Sequence, residues 1–246
     1  MKPFLILQLR PETAASDDEF NAILDKGGLS VEQARRIRLD QEYLPQDLSL
    51  DDYSGVIVGG GPGCVSDAEH GKSAMDKQIE SAVLGLMPQI TETDFPFLGC
   101  CYGIGILAHH LGATVSKEQY GEAVGAVECE LTQAGRQDPI LDGVDERFRA
   151  FVGHKEAVQH LPEGCEHLAQ SEPCPYQMIR YRDNVYATQF HPEADGNSFE
   201  VRIQVYRNAG YFPPEEAQKL VDMCRAEDIR MPERILTNFV RRYKRI

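Results

Sequence analysis

The sequence lacks the features that mark membrane, secreted and nucleic-acid-binding proteins. No apolar run approaches the roughly 18 residues that a transmembrane helix requires. The N-terminal segment holds one short apolar run broken by Arg10 and Pro11, which predicts a first strand rather than a secretory leader. Lys and Arg number 25 against 39 Asp and Glu, and this net charge of −14 argues against general electrostatic binding of nucleic acid or anionic membranes.

Cysteine is present without a disulfide framework. The chain has seven cysteines, an odd number that includes one adjacent pair, and their spacing fits no set of paired bridges. Reduced thiols are typical of the cytoplasm. We therefore expect a cytoplasmic protein whose partners are small molecules or another protein, with neither nucleic acid nor a membrane among them.

Short apolar runs bounded by turn residues recur along the chain and alternate with helical patterns. They lie at 4–9, 55–58, 95–98 and 185–190. This alternation predicts an α/β fold, with an open, mostly parallel sheet flanked by helices. One of the intervening helices is expected to begin at Asp67 and to end at Pro88.

Two further segments complete the predicted organisation. Residues 120–157 alternate apolar and polar positions between Gly and Asp-Pro turns, which predicts a small antiparallel β segment at the edge of the sheet. After paired prolines, two segments with acidic first turns predict a C-terminal helical extension. We expect residues 1–200 to form the main domain and 201–246 to form an extension packed on it.

The stretch "LGCCYGIGILAHH" predicts a nucleophile at a sharp turn between a strand and a helix. Such an elbow requires small residues two positions before and two positions after its apex. Around Cys101 those positions are Gly99 and Gly103, whereas around Cys100 they are a leucine and a tyrosine. Cys101 is therefore the predicted nucleophile, and its place at a helix start is expected to lower the pKa of the thiol. Cys100 is predicted to be an apolar filler of the sheet.

A thiol nucleophile requires a base and a group that orients the base. Two His-x-Glu triplets are candidates. His191 follows a β-rich run, and the Pro192 turn brings Glu193 round to it. Ligands of open α/β sheets bind at the carboxyl ends of the strands, where the predicted elbow also lies. His191 and Glu193 are therefore the predicted base and orienting group, and His154 with Glu156 are expected to be neighbours of the site.

The segment "VIVGGGPGCVSD" is a strand that runs into a glycine-rich loop. It lacks the Lys-Ser/Thr of a Walker A motif and the spacing of a dinucleotide fingerprint. Its other use is to bring a backbone N–H close to a developing negative charge, as in an oxyanion hole.

Together, "VGGGPG", "LGCCYG" and "TQFHPE" in this order resemble the motifs of the class I glutamine amidotransferases, the glutaminase domains of GMP synthase, anthranilate synthase and carbamoyl phosphate synthetase. The resemblance covers about residues 4–200. The chain is similar to stand-alone, GMP synthase-like members of the family. It implies a flavodoxin-like sheet flanked by helices.

The resemblance also implies a role for each site residue. Cys101 attacks the side-chain amide of glutamine, His191 transfers the proton to the departing ammonia, and Glu193 orients His191. The backbone N–H groups of Gly61 and Tyr102 hold the oxyanion. A γ-glutamyl thioester forms and is hydrolysed to glutamate, with no cofactor and no metal, and ATP with Mg²⁺ belongs only to a separate synthetase subunit that receives the ammonia.

One position departs from the family pattern. The family places Gln two residues after the second elbow glycine, where it contacts the bound glutamine, and here that position is Gly105. The expected neighbours of the substrate are Gly60, Gly105, His154 and Gln189. Because of Gly105 and the missing synthetase domain, a γ-glutamyl peptide hydrolase with the same triad stays open as an alternative. Two others also stay open: a non-catalytic binding or regulatory protein, and a metal site formed by the adjacent Cys and His pairs.

Overall fold

The structure, a computed structural model, describes residues 1–245 and is built around one nine-stranded sheet. Within those residues the strands are β1 (Phe4–Gln8), β2 (Ala34–Arg38), β3 (Val56–Val58), β4 (Phe97–Cys100), β5 (Val115–Ser116), β6 (Glu122–Leu131), β7 (Arg147–His154), β8 (Ala157–Val158), β9 (Cys165–Ser171), β10 (Met178–Tyr181) and β11 (Val185–Thr188). The α-helices are α1 (Thr13–Gly27), α2 (Ala74–Thr93), α3 (Tyr102–His110), α4 (Gly196–Val205), α5 (Ala217–Ala226) and α6 (Glu233–Tyr243).

The sheet has a parallel half and an antiparallel half. Strands β2, β1, β3, β4 and β11 lie in this order and run parallel to one another. Strands β10, β9, β6 and β7 continue the sheet with antiparallel pairings, while β5 and β8 form a separate small antiparallel sheet. The predicted α/β fold, a sheet flanked by helices with an antiparallel segment and C-terminal helices, is confirmed.

Helices cover both faces of the parallel half, which is why its strands are apolar throughout. Every residue of β1, β3, β4 and β11 is buried. Phe20 of α1 and Phe239 of α6 belong to the core on one face, and Ile79 of α2 and Leu107 of α3 belong to the core on the other. The carboxyl ends of these strands therefore open at one edge of the sheet, where ligands of such folds bind.

The C-terminal helices pack onto the rest of the fold. Helix α6 contacts α1, and α5 contacts α4 and β6. The boundary predicted at residue 200 falls inside α4, and the division of the chain there stays a prediction. No helix within residues 1–245 is both long enough and apolar enough to cross a membrane.

Helix α2 differs from its predicted bounds at both ends. It begins at Ala74, where Ser73 and Asp76 form a reciprocal cap, instead of at Asp67. It also continues through Pro88 to Thr93. Proline removes one helical hydrogen bond, but the apolar face continues past it with the buried Ile90. Packing of this face on the sheet offsets the local cost.

Candidate active site

Cys101 lies at a sharp turn between β4 and α3. Its backbone is in the left-handed region with φ 53°, which is strained for a residue with a side chain and costs about 1–3 kcal/mol. Its N–H donates to the carbonyl of Thr188 at the end of β11, at 2.7 Å. A Cβ on Gly99 would lie 3.0 Å from the backbone of Gly103, whereas a Cβ on Gly103 would meet only Val58, at 3.8 Å. The elbow thus requires glycine before the apex more strictly than after it.

The thiol of Cys101 is buried, with the residue 8% exposed. Burial raises the pKa of the Cys101 thiol to about 12, although the charge of Arg10 acts in the opposite direction. The expectation that this pKa is lowered is therefore wrong, because burial raises it more than the charges of Arg10 and Arg202 lower it. Cys100 lies in the core and has no exposed surface. This position agrees with its predicted role as an apolar filler.

His191 and Glu193 lie just beyond β11, at the same edge of the sheet. Nδ1 of His191 lies 2.9 Å from Oε1 of Glu193, and both residues are buried. A carboxylate accepts this hydrogen bond, so Nδ1 carries the proton and Nε2 is left as a base. A Cβ placed on Gly60 would lie 2.7 Å from Cε1 of His191 and 3.5 Å from Cβ of Cys101. The structure therefore brings the three predicted residues of the triad together.

Burial and a nearby arginine set the protonation of this pair. Burial lowers the pKa of His191 to about 4, against the opposing charge of Glu193. Burial alone would raise the pKa of Glu193, but the charges of His191 and Arg202 lower it well below its usual range. Nη2 of Arg202 in α4 donates to Oε1 of Glu193 at 2.8 Å. The imidazole is neutral at neutral pH, ready to accept a proton from the thiol.

The glycine-rich loop after β3 supplies amide groups beside Cys101. The N–H of Gly60 donates to Oε2 of Glu19 at 3.1 Å, so it is not available to a substrate. No hydrogen bond within residues 1–245 uses the N–H of Gly61 or of Tyr102, and both residues line a cavity at Cys101. These two amides are free to hold an oxyanion.

The predicted neighbours of the substrate differ in what their side chains do. Gly105 and Gln189 line the same cavity as Cys101. His154 also borders it, but both of its ring nitrogens are engaged: Nδ1 lies 2.8 Å from the carbonyl of Glu156 and Nε2 lies 2.7 Å from Oε2 of Glu122. His154 therefore braces the wall of the cavity, and its ring is not free to act on a substrate.

Three residues of the site carry no motif in the sequence. Arg10 follows β1 at the carboxyl edge of the sheet, and its Nε donates to Glu19 at 2.7 Å. Because ligands of such sheets bind at the carboxyl ends of the strands, the position of Arg10 after β1 could have indicated it. Arg202 and Tyr211 come from α4 and the segment after it. The hydroxyl of Tyr211 lies 3.3 Å from the carbonyl of Pro62, so this side chain covers the site. No spacing in the sequence indicates either contact.

The adjacent Cys and His pairs do not meet as metal ligands. Within the described residues, three potential ligand atoms approach within 4.8 Å of one another only at Glu122, His154 and Cys174, behind the cavity. Those three side chains are buried, and the hydrogen bonds of His154 already occupy both of its nitrogens.

Comparison with known proteins gives one family. Its profile, described as glutamine amidotransferase class-I, matches residues 24–204. The chain is 31% identical over 194 residues to the glutamine-hydrolysing GMP synthase of Thermosipho africanus, covering 74% of this chain and 34% of that protein. It is 34% identical over 178 residues to the enzyme of the same name from Aquifex aeolicus, covering 68% and 31%. The chain thus spans about a third of the length of these relatives.

Solved structures show the same fold over the whole chain. A glutamine amidotransferase from Thermotoga maritima superimposes with a TM-score of 0.76 at 21% identity, covering 99% of this chain and 98% of that one. A protein described as a GMP synthase subunit from Thermoplasma acidophilum gives a TM-score of 0.64 at 18% identity, covering 98% and 93%.

Proposed function

Since the chain belongs to the class I glutamine amidotransferase family, we propose that it hydrolyses the side-chain amide of glutamine through a thioester on Cys101. The observation that supports this most directly is the meeting of Cys101 with the His191–Glu193 pair at one edge of the sheet. A buried nucleophile, a neutral base and a carboxylate that orients the base are the parts that acyl transfer requires.

The proposed reaction has two steps. Sγ of Cys101 attacks the amide carbon while Nε2 of His191 takes the thiol proton, and the N–H groups of Gly61 and Tyr102 hold the oxyanion. His191 then gives the proton to the departing nitrogen, so ammonia leaves and a γ-glutamyl thioester remains. Water loses a proton to His191 as it attacks the thioester; the bond from the carbonyl carbon to Sγ breaks, His191 returns the proton to Sγ, and glutamate leaves.

The protonation states fit this order of events. A thiol with a pKa of about 12 beside an imidazole with a pKa of about 4 makes the resting pair neutral. The thiol proton therefore moves to His191 during the attack, as in general-base catalysis, instead of before substrate binds. The two oxyanion donors, each worth about 100- to 1000-fold in rate, offset part of the cost of that transfer.

The reaction needs no cofactor, and we assign ATP and Mg²⁺ only to a separate synthetase that would receive the ammonia. The cysteines among residues 1–245 are all free thiols, which suits the reducing cytoplasm. A partner synthetase is consistent with the match to only a third of each GMP synthase.

A second candidate is hydrolysis of γ-glutamyl peptides by the same triad. On the His191 side, a second space also lined by Cys101 is bordered by Arg10, Phe199, Tyr206 and Phe212. Ammonia requires no such space, whereas the amino acid that leaves a γ-glutamyl dipeptide does. The apolar rings beside an arginine would suit the side chain and carboxylate of that leaving group.

Release of ammonia and glutamate from L-glutamine, with γ-glutamyl dipeptides in parallel, tests both candidates. We expect turnover that disappears in Cys101→Ala and persists in Cys100→Ala, the matched control one residue away. Turnover of dipeptides alone would favour the second candidate. A Cys101→Ala protein as active as the wild type would refute the thioester mechanism in either form.

A further inference from the structure

The two spaces at Cys101 present different groups to a thioester on its sulfur. The cavity described first contains the free N–H groups of Gly61 and Tyr102. The second space, which also reaches Cys101, is bordered by the base His191. A general base acts on the group that attacks or leaves the carbonyl carbon. The second space is therefore where the attacking and leaving groups of the proposed reaction would lie.

A buried arginine with an unused donor borders the second space. Arg10 is 4% exposed, and it donates from Nε to Oε2 of Glu19 at 2.7 Å and from Nη1 to the hydroxyl of Tyr206 at 3.2 Å. No hydrogen bond within residues 1–245 uses its Nη2. Each Nη of a guanidinium carries two N–H donors. Arg10 can therefore bind a carboxylate through Nη2 while it keeps both of its present contacts.

Nη2 of Arg10 lies close to both reacting groups. A Cβ on Gly60 would lie 2.7 Å from this nitrogen, 2.7 Å from Cε1 of His191 and 3.5 Å from Cβ of Cys101. The guanidinium, the base and the nucleophile thus surround one point. In an α-amino acid, the nitrogen and the carboxylate oxygens are about 3 Å apart. An amino acid whose carboxylate accepts from Nη2 would therefore hold its nitrogen beside His191 and Cys101.

Apolar side chains form much of the remaining wall of the second space. They are Val124, Phe199, Ile203 and Phe212. Arg202 also borders this space, but its Nη2 is bonded to Glu193 at 2.8 Å. Burial of an apolar side chain is worth about 25 cal/mol for each Å² removed from water. An amino acid with an apolar side chain therefore suits this wall better than one with a polar side chain.

We propose that the protein also transfers the γ-glutamyl group to apolar α-amino acids, and that Arg10 binds the carboxylate of this acceptor. The inference rests on the proposed thioester on Cys101. The unprotonated nitrogen of the amino acid attacks the carbonyl carbon of the thioester while His191 takes one of its protons. The bond from that carbon to Sγ breaks, His191 returns the proton to Sγ, and a γ-glutamyl dipeptide leaves. Glutamine and the amino acid are thereby converted to ammonia and the dipeptide.

Analysis of the products separates transfer from hydrolysis. The wild-type protein is incubated with L-glutamine and L-leucine, and glutamate and γ-glutamylleucine are quantified by mass spectrometry. γ-Glutamylalanine serves as a second donor. The matched acceptor is L-leucinamide, in which a neutral amide replaces the carboxylate.

We expect the ratio of transfer product to glutamate to be about 10- to 150-fold higher with leucine than with leucinamide at equal concentration. This is the range for a hydrogen bond to a charged group. Leucinamide is the less basic amine, so a larger fraction of it is unprotonated at neutral pH. The basicity of the amine therefore cannot produce a preference for leucine.

Paired substitutions test Arg10 without leaving a buried charge unpaired. Arg10→Met with Glu19→Gln removes both charges of the ion pair, which costs less stability than removal of one. This variant should reduce the preference for leucine to a few-fold or less. The matched control is Arg38→Met with Asp40→Asn, a pair at 2.9 Å at the end of the neighbouring strand β2, and it should keep the preference.

A single substitution serves if the paired variant of Arg10 does not fold. Arg10→Lys keeps the charge beside Glu19 but lacks the Nη2 donor, so it should also lower the preference for leucine. A preference that survives in the variants of Arg10 would overturn the assigned role of this residue. Equal ratios with leucine and leucinamide in the wild type would overturn it as well.

The two products distinguish failure of this inference from failure of the proposed reaction. Glutamate without γ-glutamylleucine, from either donor, would overturn the transfer and leave the proposed hydrolysis intact. Absence of both products with both donors would refute the thioester reaction itself, and the transfer with it.

Discussion

Replacing Gly60 by alanine should disable the catalytic pair without unfolding the protein. The new Cβ would lie 2.7 Å from Cε1 of His191 and 2.7 Å from Nη2 of Arg10. Ordinary contact begins at 3.4 Å, so relief of both clashes requires each group to move by about 0.7 Å. Neither moves freely, since His191 is bonded to Glu193 at 2.9 Å and Arg10 is bonded to Glu19 at 2.7 Å.

A displacement of this size at a reacting group costs about 100-fold in rate, and the overpacking costs about 1–3 kcal/mol of stability. The backbone of Gly60 is not in the left-handed region, so alanine introduces no backbone strain and the effect isolates the clash. We therefore expect kcat for the γ-glutamyl donor to fall about 100-fold.

The assay is kcat together with the rate at which iodoacetamide alkylates Cys101, a readout that needs no substrate. Gly103→Ala is the matched control, because its Cβ would meet only Val58 at 3.8 Å. That change should keep kcat and stabilise α3 by about 1 kcal/mol. A folded Gly60→Ala protein with the kcat of the wild type would show that the close approach of Gly60 to His191 does not constrain the base.

Two further predictions concern buried charge. Glu19→Gln leaves the buried Arg10 guanidinium without its carboxylate and should lower the free energy of unfolding by about 3–5 kcal/mol, measured by urea denaturation; a loss under 1 kcal/mol would contradict this. The pKa of His191 is about 4 in the folded protein, below the usual 6.5, so the unfolded chain binds a proton at this residue more readily. The free energy of unfolding should therefore fall as the pH drops from about 6.5 towards 4. His191→Gln should flatten that part of the pH profile, and an unchanged slope would show that other groups carry the dependence.

The parts of the site that the sequence predicts are those with local geometry. Two features can be recognised from a strand end and a few neighbouring positions. They are Gly99, two residues before Cys101, and the His-Pro-Glu turn at His191. Their meeting follows from parallel strands, whose carboxyl ends share an edge. The predicted strands at β1, β3, β4 and β11 could be found for the same reason, since buried parallel strands are continuous apolar runs.

Other features depend on contacts between distant parts of the chain. Burial raises the pKa of the Cys101 thiol, and the cavity at Cys101 is lined in part by Tyr211, more than a hundred residues away. The extension of α2 through Pro88 depends on the sheet against which Ile90 packs. A local rule gave the wrong sign in the first case and the wrong end in the second, because burial and packing are set by distant parts of the chain.

The segment between α4 and α5 borders the candidate site. Tyr206 and Phe212 border the space on the His191 side, and Tyr211 bridges to the carbonyl of Pro62 in the glycine-rich loop. Lys155 lies 4.1 Å from the ring centroid of Tyr211 on the other side. Under either proposed reaction, the group that leaves Cys101 would be released beside these side chains, because they border both spaces at Cys101.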